Sequence, residues 1–156
     1  MSFHYTVSFS LRFKNGLSST QIGALQYLLN EDGNAPKVFP DHAFFKSGIP
    51  DGALLWRSYK GFTPGSWRSE FWQGANVPGM PGGGEVYSGV NLLLPSQKME
   101  SALDLLPMLR WLATMSDTIG YVGAASCEDD GVGMPLFLLF VEAGNLRIAG
   151  LPKEIV

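Results

Sequence analysis

Cysteine is nearly absent from this chain: Cys127 is the single thiol in 156 residues. One thiol excludes an internal disulfide, so the fold must rest on apolar burial. That fits a reducing compartment, and a disulfide-free periplasmic protein has the same composition. Histidine is equally scarce, with only His4 and His42. Charged residues make up only 16% of the chain, and 11 Lys and Arg face 14 Asp and Glu for a net charge of -3. Nucleic-acid binding normally needs a clustered basic surface, so this balance speaks against it. The charge is also too mild for a nucleic-acid mimic. No apolar run approaches the length of a membrane span. The opening residues MSFHYTVSFS carry no basic n-region and no unbroken apolar core. The expectation is therefore a cytoplasmic protein with no signal peptide and no membrane contact.

The scarce residues also limit the chemistry. His4-Tyr5-Thr6 matches one half of a two-histidine phosphoesterase motif, but His42 lies in Asp41-His42-Ala43 and supplies no second half. Both histidines must act on one phosphate in that chemistry, so a solvent-facing strand histidine is the expectation for His4. Asp41 and His42 offer at most two metal ligands, and no Cys or His spacing completes four. Glu128-Asp129-Asp130-Gly131 lacks the alternating ligands of a calcium loop and reads as a solvated turn. Cys127 precedes those acids, which raise a thiol pKa, and has no adjacent base. The glycine run Gly82-Gly83-Gly84 precedes a strand rather than a helix, so it is no phosphate loop and reads as a flexible connector. No catalytic residue, metal or cofactor is expected.

Apolar residues, by contrast, reach 46% of the chain, ample for a core. From Tyr5 to Phe13 the odd positions are Tyr, Val, Phe, Leu and Phe, and the even ones are polar. A strand sends successive side chains to opposite faces, so this is a half-buried strand. Ser18 with Gln21 forms a capping box ahead of Ile22, Leu25, Leu28 and Leu29, which places an amphipathic helix over 19–30, closed by Gly33. The stretch 33–52 reads as an irregular loop, and Ala53 to Tyr59 as a short strand. Gly61 to Gly84 is a Gly- and Pro-rich loop holding Phe62, Trp67, Phe71 and Trp72, with room for a strand pair within 66–74 and a mobile run at Gly79–Gly84. Glu85 to Leu94 is a strand ended by Pro95. Ser96 caps a second helix with a stripe of Ala102, Leu105, Leu106, Leu109, Leu112 and Ala113, kinked or split at Pro107. Gly120 to Ser126 is a strand of small residues. Leu136 to Glu142 is almost wholly apolar, which predicts a central strand. It leads through Ala143-Gly144-Asn145 into a hairpin. The expected fold is a single α+β domain over 1–156. It has a mainly antiparallel sheet with two amphipathic helices on one face, a split-βαβ-like layout with long aromatic Gly/Pro loops.

Two function classes fit. The first is a protein-binding module. Trp67, Arg68, Phe71 and Trp72, near Arg57, Tyr59, Lys60 and Phe62, are residue types that dominate binding hot spots. The acidic turn Glu128, Asp129 and Asp130 can steer a basic partner. The alternative use of the rings is a second small core beneath the loop. The strand Glu85–Leu94, the helix Lys98–Met115 and the aromatic Gly/Pro segment Trp67–Gly84 together resemble the immunity proteins of bacterial contact-dependent or type VI toxin systems. What that resemblance implies is a cytoplasmic protein that neutralises a cognate toxin by tight complex formation. The second class is a small-molecule-binding or enzymatic α+β domain, its pocket between sheet and loops and its polar groups among Asp41, His42 and Glu70.

Overall fold

The alternating N-terminal stretch forms β1, Tyr5–Arg12. Val7, Phe9 and Leu11 are buried, Phe13 just beyond the strand is buried with them, and Ser10 and Arg12 face solvent. This computed structural model describes residues 3–30, 36–46, 69–129 and 135–150. The expected strand over 53–59 and the helix closure at Gly33 lie outside them.

Helix α1, Ser19–Leu29, begins at the capping box read from the sequence: Gln21 N donates to Ser18 Oγ at 3.1 Å, and Ser18 N donates to Gln21 Oε1 at 2.9 Å. It ends at Asn30. The Asn30 side chain then does what a neighbouring strand would do. Its Nδ2 donates to Phe71 O at 2.8 Å, and its Oδ1 accepts from Phe71 N at 2.9 Å. Those bonds satisfy backbone groups on an edge strand, which would otherwise be open to pairing with another chain. A short 3-10 helix, Ala43–Lys46, follows.

The edge strand is β2, Ser69–Ala75, and it pairs antiparallel with β3, Val86–Gln97, instead of forming a strand pair within 66–74. The glycine run between them is an ordered hairpin tip rather than a loose connector. Asn76 N donates to Glu85 O at 3.0 Å, Gly84 N to Asn76 O at 3.1 Å and Gly83 N to Met80 O at 2.7 Å. A Cβ on Gly83 would lie 2.6 Å from Val77 O, so the tip closes only around glycine. Strand β3 also runs on past Pro95. The register with β1 slips between Tyr5↔Gln97 and Val7↔Leu94, and β2 pairs no further along β3 than Leu92. Pro95 thus sits at a bulge on a stretch free of β2, where its missing N–H leaves no ladder bond unmade.

The second helix is split, as Pro107 requires, into α2, Met99–Asp104, and α3, Leu106–Thr114. Pro107 faces solvent, while Ala102, Leu105, Leu106, Leu109, Leu112 and Ala113 are all buried. The N-cap is Lys98 rather than Ser96, and no side chain caps it. Strands β4, Gly120–Cys127, β5, Pro135–Glu142, and β6, Asn145–Ala149, complete the sheet.

The six strands lie in the order β2-β3-β1-β4-β5-β6, each pair antiparallel. Strands β1 and β2 are therefore mutually parallel, joined through α1, with β3 between them. Likewise β3 and β4 are parallel, joined through α2 and α3, with β1 between them. These are two interleaved split βαβ units, the ferredoxin-like connectivity, extended by the β5–β6 hairpin. Strand β5 is fifth in the order, not central. Its apolar run serves both faces: Phe137, Leu139 and Val141 point into the core, while Leu138 and Phe140 sit half-buried on the other side. The fold is α+β, and one apolar cluster joins the inward face of the sheet to the buried stripes of α1, α2 and α3. It holds Val7, Phe9, Leu11, Leu25, Leu105 and Leu109 together, with Trp111 among its largest buried side chains.

Candidate functional site

Alternation along the strands dictates what the other face of the sheet carries. With Val7, Phe9 and Leu11 turned inward, Ser8, Ser10 and Arg12 of β1 turn outward. The same rule sends out Glu70 and Trp72 of β2, Tyr87, Gly89, Asn91 and Leu93 of β3, Phe140 of β5 and Arg147 of β6, while in β4 a bulge between Tyr121 and Gly123, the inward partner of Phe9, turns Tyr121 outward beside Phe140. No described helix packs there, and Tyr121 and Leu93 are 61% and 41% exposed.

Two constructions of the same kind stand on this face. In the first, the Arg12 guanidinium lies over the Tyr87 ring at 5.1 Å, and Trp72 meets Tyr87 edge-on at 5.8 Å. In the second, Arg147 lies over Phe140 at 4.5 Å, and Tyr121 meets Phe140 edge-on at 5.9 Å. Rings prefer this edge-to-face geometry, and a guanidinium over a ring face is attracted by its quadrupole. Gly89 makes the first one possible. It is the cross-strand partner of both Trp72 and Arg12, and a Cβ there would fall 2.4 Å from the Trp72 ring. The indole lies down on bare backbone because no side chain stands beneath it. Between the two constructions is a shallow depression of about 290 Å³ whose lining includes Ser8, Ser10, Asn91, Leu93 and Tyr121.

The residues expected to meet a partner are distributed unevenly over this frame. Trp67, Arg68 and Asp130 lie outside the described residues. Phe71 is 4% exposed, points inward and packs on Phe13 with ring centroids 6.2 Å apart. It is a core residue, because alternation gives adjacent positions 71 and 72 opposite faces, and it offers no contact surface. Trp72 belongs to the outward face. Glu128 and Asp129, both exposed, stand at the far end of β1: Asp129 accepts from His4 N and lies 3.7 Å from His4 Nδ1, and Glu128 accepts from the Thr6 hydroxyl. His4 and Arg12 are separated by eight residues, roughly 26 Å at about 3.3 Å per residue. The aromatic and acidic halves are thus opposite ends of one face. His4 takes part in fastening the first strand to the end of β4.

The pocket expected between sheet and loops is divided by the fold. Asp41 and His42 line an open cleft with Phe39, Gln21, Trp111 and Thr114, while Glu70 is on the outward face. Asp41 pairs with Lys46, whose hydrogen bond and charge hold the carboxyl below its ordinary range. Burial lowers the pKa of His42, and its Nδ1 accepts from Phe44 N at 3.0 Å, starting the 3-10 turn. Among the described residues no group of three or more His, Cys, Asp or Glu is placed to hold a metal ion. No described helix is long and apolar enough to cross a membrane.

Sequence reasoning passed over Arg12, Tyr87, Tyr121, Phe140 and Arg147. Arg12, Tyr87 and Arg147 carried a signal, each a large or cationic side chain on the outward side of a strand, whereas Phe140 is hidden in an almost wholly apolar run and Tyr121 reaches the face through the bulge in β4. Only the strand order brings them together. A scan of the chain against protein-family models finds no match, and searches of curated proteins and of solved structures find none.

Proposed function

We propose that this chain is a protein-binding protein that acts by covering a partner with the open face of its sheet, and that the partner is a cognate bacterial toxin. The observation that supports the binding reading is the pair of arginine-on-ring constructions on a face that no described helix covers. Trp, Tyr and Arg are the types most enriched at binding hot spots, and here the rings and guanidiniums are already held by one another. The face is also of fitting size. Six strands at about 4.8 Å spacing and strands of about 26 Å give on the order of 600 Å², against roughly 800 Å² per partner in a standard interface. The toxin assignment rests on the resemblance to immunity proteins, since a fold alone does not specify function.

The test begins with the intact chain as bait in its native host, where one stoichiometric protein is expected. Binding kinetics of Trp72→Ala and Tyr121→Ala against that protein should show losses of about 2 kcal/mol or more, mainly as faster dissociation. Wild-type kinetics in both would move the interface elsewhere. A metabolite that raises the melting temperature, with no protein recovered, would favour the small-molecule reading instead.

A further inference from the structure

We infer that the open sheet face takes an acidic protein surface, one that presents two carboxylates on either side of an apolar ridge. This inference rests on the protein-binding reading and names the chemistry of the partner. Arg12 and Arg147 are both exposed, and neither is ion-paired with a described carboxylate. Each is instead laid over a ring, Tyr87 at 5.1 Å and Phe140 at 4.5 Å. A guanidinium held this way is a planar, always-charged donor whose freedom is already restricted, so little more is lost when it binds. Its natural complement is a carboxylate, taken up through two parallel N–H···O bonds.

The register sets the spacing. Arg12 of β1 and Arg147 of β6 are three strands apart. Arg147 pairs with Phe140, Phe140 with Tyr121, and Phe9 with Gly123, so Arg12 stands two residues further along. At about 4.8 Å between strands and about 3.4 Å per residue, their Cα atoms are roughly 16 Å apart. The depression between them is lined by uncharged side chains, Leu93 and Tyr121 included. A ridge entering it meets no unpaired charge, which would be costly to bury.

A nucleic acid shares the anionic chemistry but fits less well. Its phosphates recur along the whole backbone and need many cations. Among the described residues only two guanidiniums stand on the face, Glu70, Glu128 and Asp129 stand toward its margins, and the chain carries -3 overall.

Three probes decide the matter, each titrated into the intact chain up to 1 mM, on the order of the weakest useful affinity, with backbone amide shifts as readout. They are a peptide of repeated Glu-Glu-Phe, its Lys-Lys-Phe counterpart, and oligo-dT. The acidic peptide should shift residues of the open face, including Ser8, Ser10, Asn91 and Tyr121, while the basic one should not. The double variant R12A/R147A should weaken the acidic peptide at least about tenfold, the scale of a lost charged hot spot. Arg12→Lys should fall between, since it keeps charge and loses the planar stack. No binding of the acidic peptide, equal binding of the basic one, or wild-type affinity in R12A/R147A would overturn the inference. So would oligo-dT shifting the same residues. All four results leave the broader reading standing if Trp72→Ala still weakens a captured partner. Loss of that effect removes the reading itself.

Discussion

The two faces of this sheet solve the same problem, a stable strand surface, with different side chains. The helix-covered face is aliphatic and phenylalanine: Val7, Phe9, Leu11, Val90, Leu92 and Leu139 lock into the stripes of α1 and α3. Their stability comes from removal from water, which is non-directional and scales with area. The open face cannot use that. It orders itself through pairwise geometry: a ring beside a ring, a guanidinium above a ring, an indole laid over a glycine. Such contacts are individually small and leave the groups partly exposed. The covered face therefore accounts for most of the stability, and the open face holds organised chemistry at the surface.

The sharpest way to break this contrast is to empty the centre of the covered face. Phe9 is 1% exposed on a strand flanked on both sides. Phe9→Ala should cost roughly 3–5 kcal/mol in chemical denaturation, the range for deleting a buried phenylalanine. A loss below about 1 kcal/mol, the scale of an ordinary mild substitution, would mean the core is not centred there.

The next probe enters from the open side. A Cβ on Gly89 would sit 2.4 Å from the Trp72 ring and 2.6 Å from Leu11 O. The indole can swing away, but the carbonyl belongs to the neighbouring strand. Gly89→Ala should cost about 1–3 kcal/mol, typical of overpacking. Trp72 fluorescence should change with it as the ring leaves Tyr87. An unchanged melting curve and emission spectrum would show that the indole does not lie on this glycine.

The third separates the faces by kind of energy. A double-mutant cycle on Arg12 and Tyr87 should give a coupling of about 0.5–1 kcal/mol, the value for an exposed cation–ring pair. A coupling near zero would make the stack incidental and weaken the case for pre-set guanidiniums.

These contrasts also show what the sequence made legible. The covered face was readable because burial imposes a period: the alternation of β1, the stripe of α3 and the split at Pro107 all follow from local residue order. The Ser18–Gln21 box was readable for the same reason. Errors arose where a distant strand decided the outcome. Pro95 ends a strand in isolation but not at a bulge that lacks a β2 neighbour. The apolar run of β5 mimics a central strand because Phe140 is needed on the open face by Tyr121 and Arg147. Phe71 and Trp72 look alike as neighbouring rings, yet alternation gives one to the core and one to the surface. The candidate site was the least legible part. Its residues come from all six strands, and Arg12 and Arg147 are 135 positions apart in sequence (147 − 12).

The smallest expected effect belongs to His42, away from both faces. Burial lowers its pKa from the ordinary value of 6.5, so the folded protein binds a proton there less readily than the unfolded chain does. Between the folded pKa and about 6.5 the unfolded state holds more protons, and stability rises with pH. The contribution of neutral His42 is therefore present above pH 6.5 or so and is lost as pH falls toward the folded value. The geometry acts in the same direction, because a proton on Nδ1 removes the acceptor that Phe44 N uses at 3.0 Å. The ring is only partly buried, so solvent moderates the effect and a modest fall in the denaturation midpoint is expected between pH 7.5 and 5.5, a window chosen to bracket about 6.5. His42→Asn can offer a side-chain oxygen to the same N–H without titrating, and should flatten that part of the profile. A fall of equal size in His42→Asn would assign the acid sensitivity to groups other than His42.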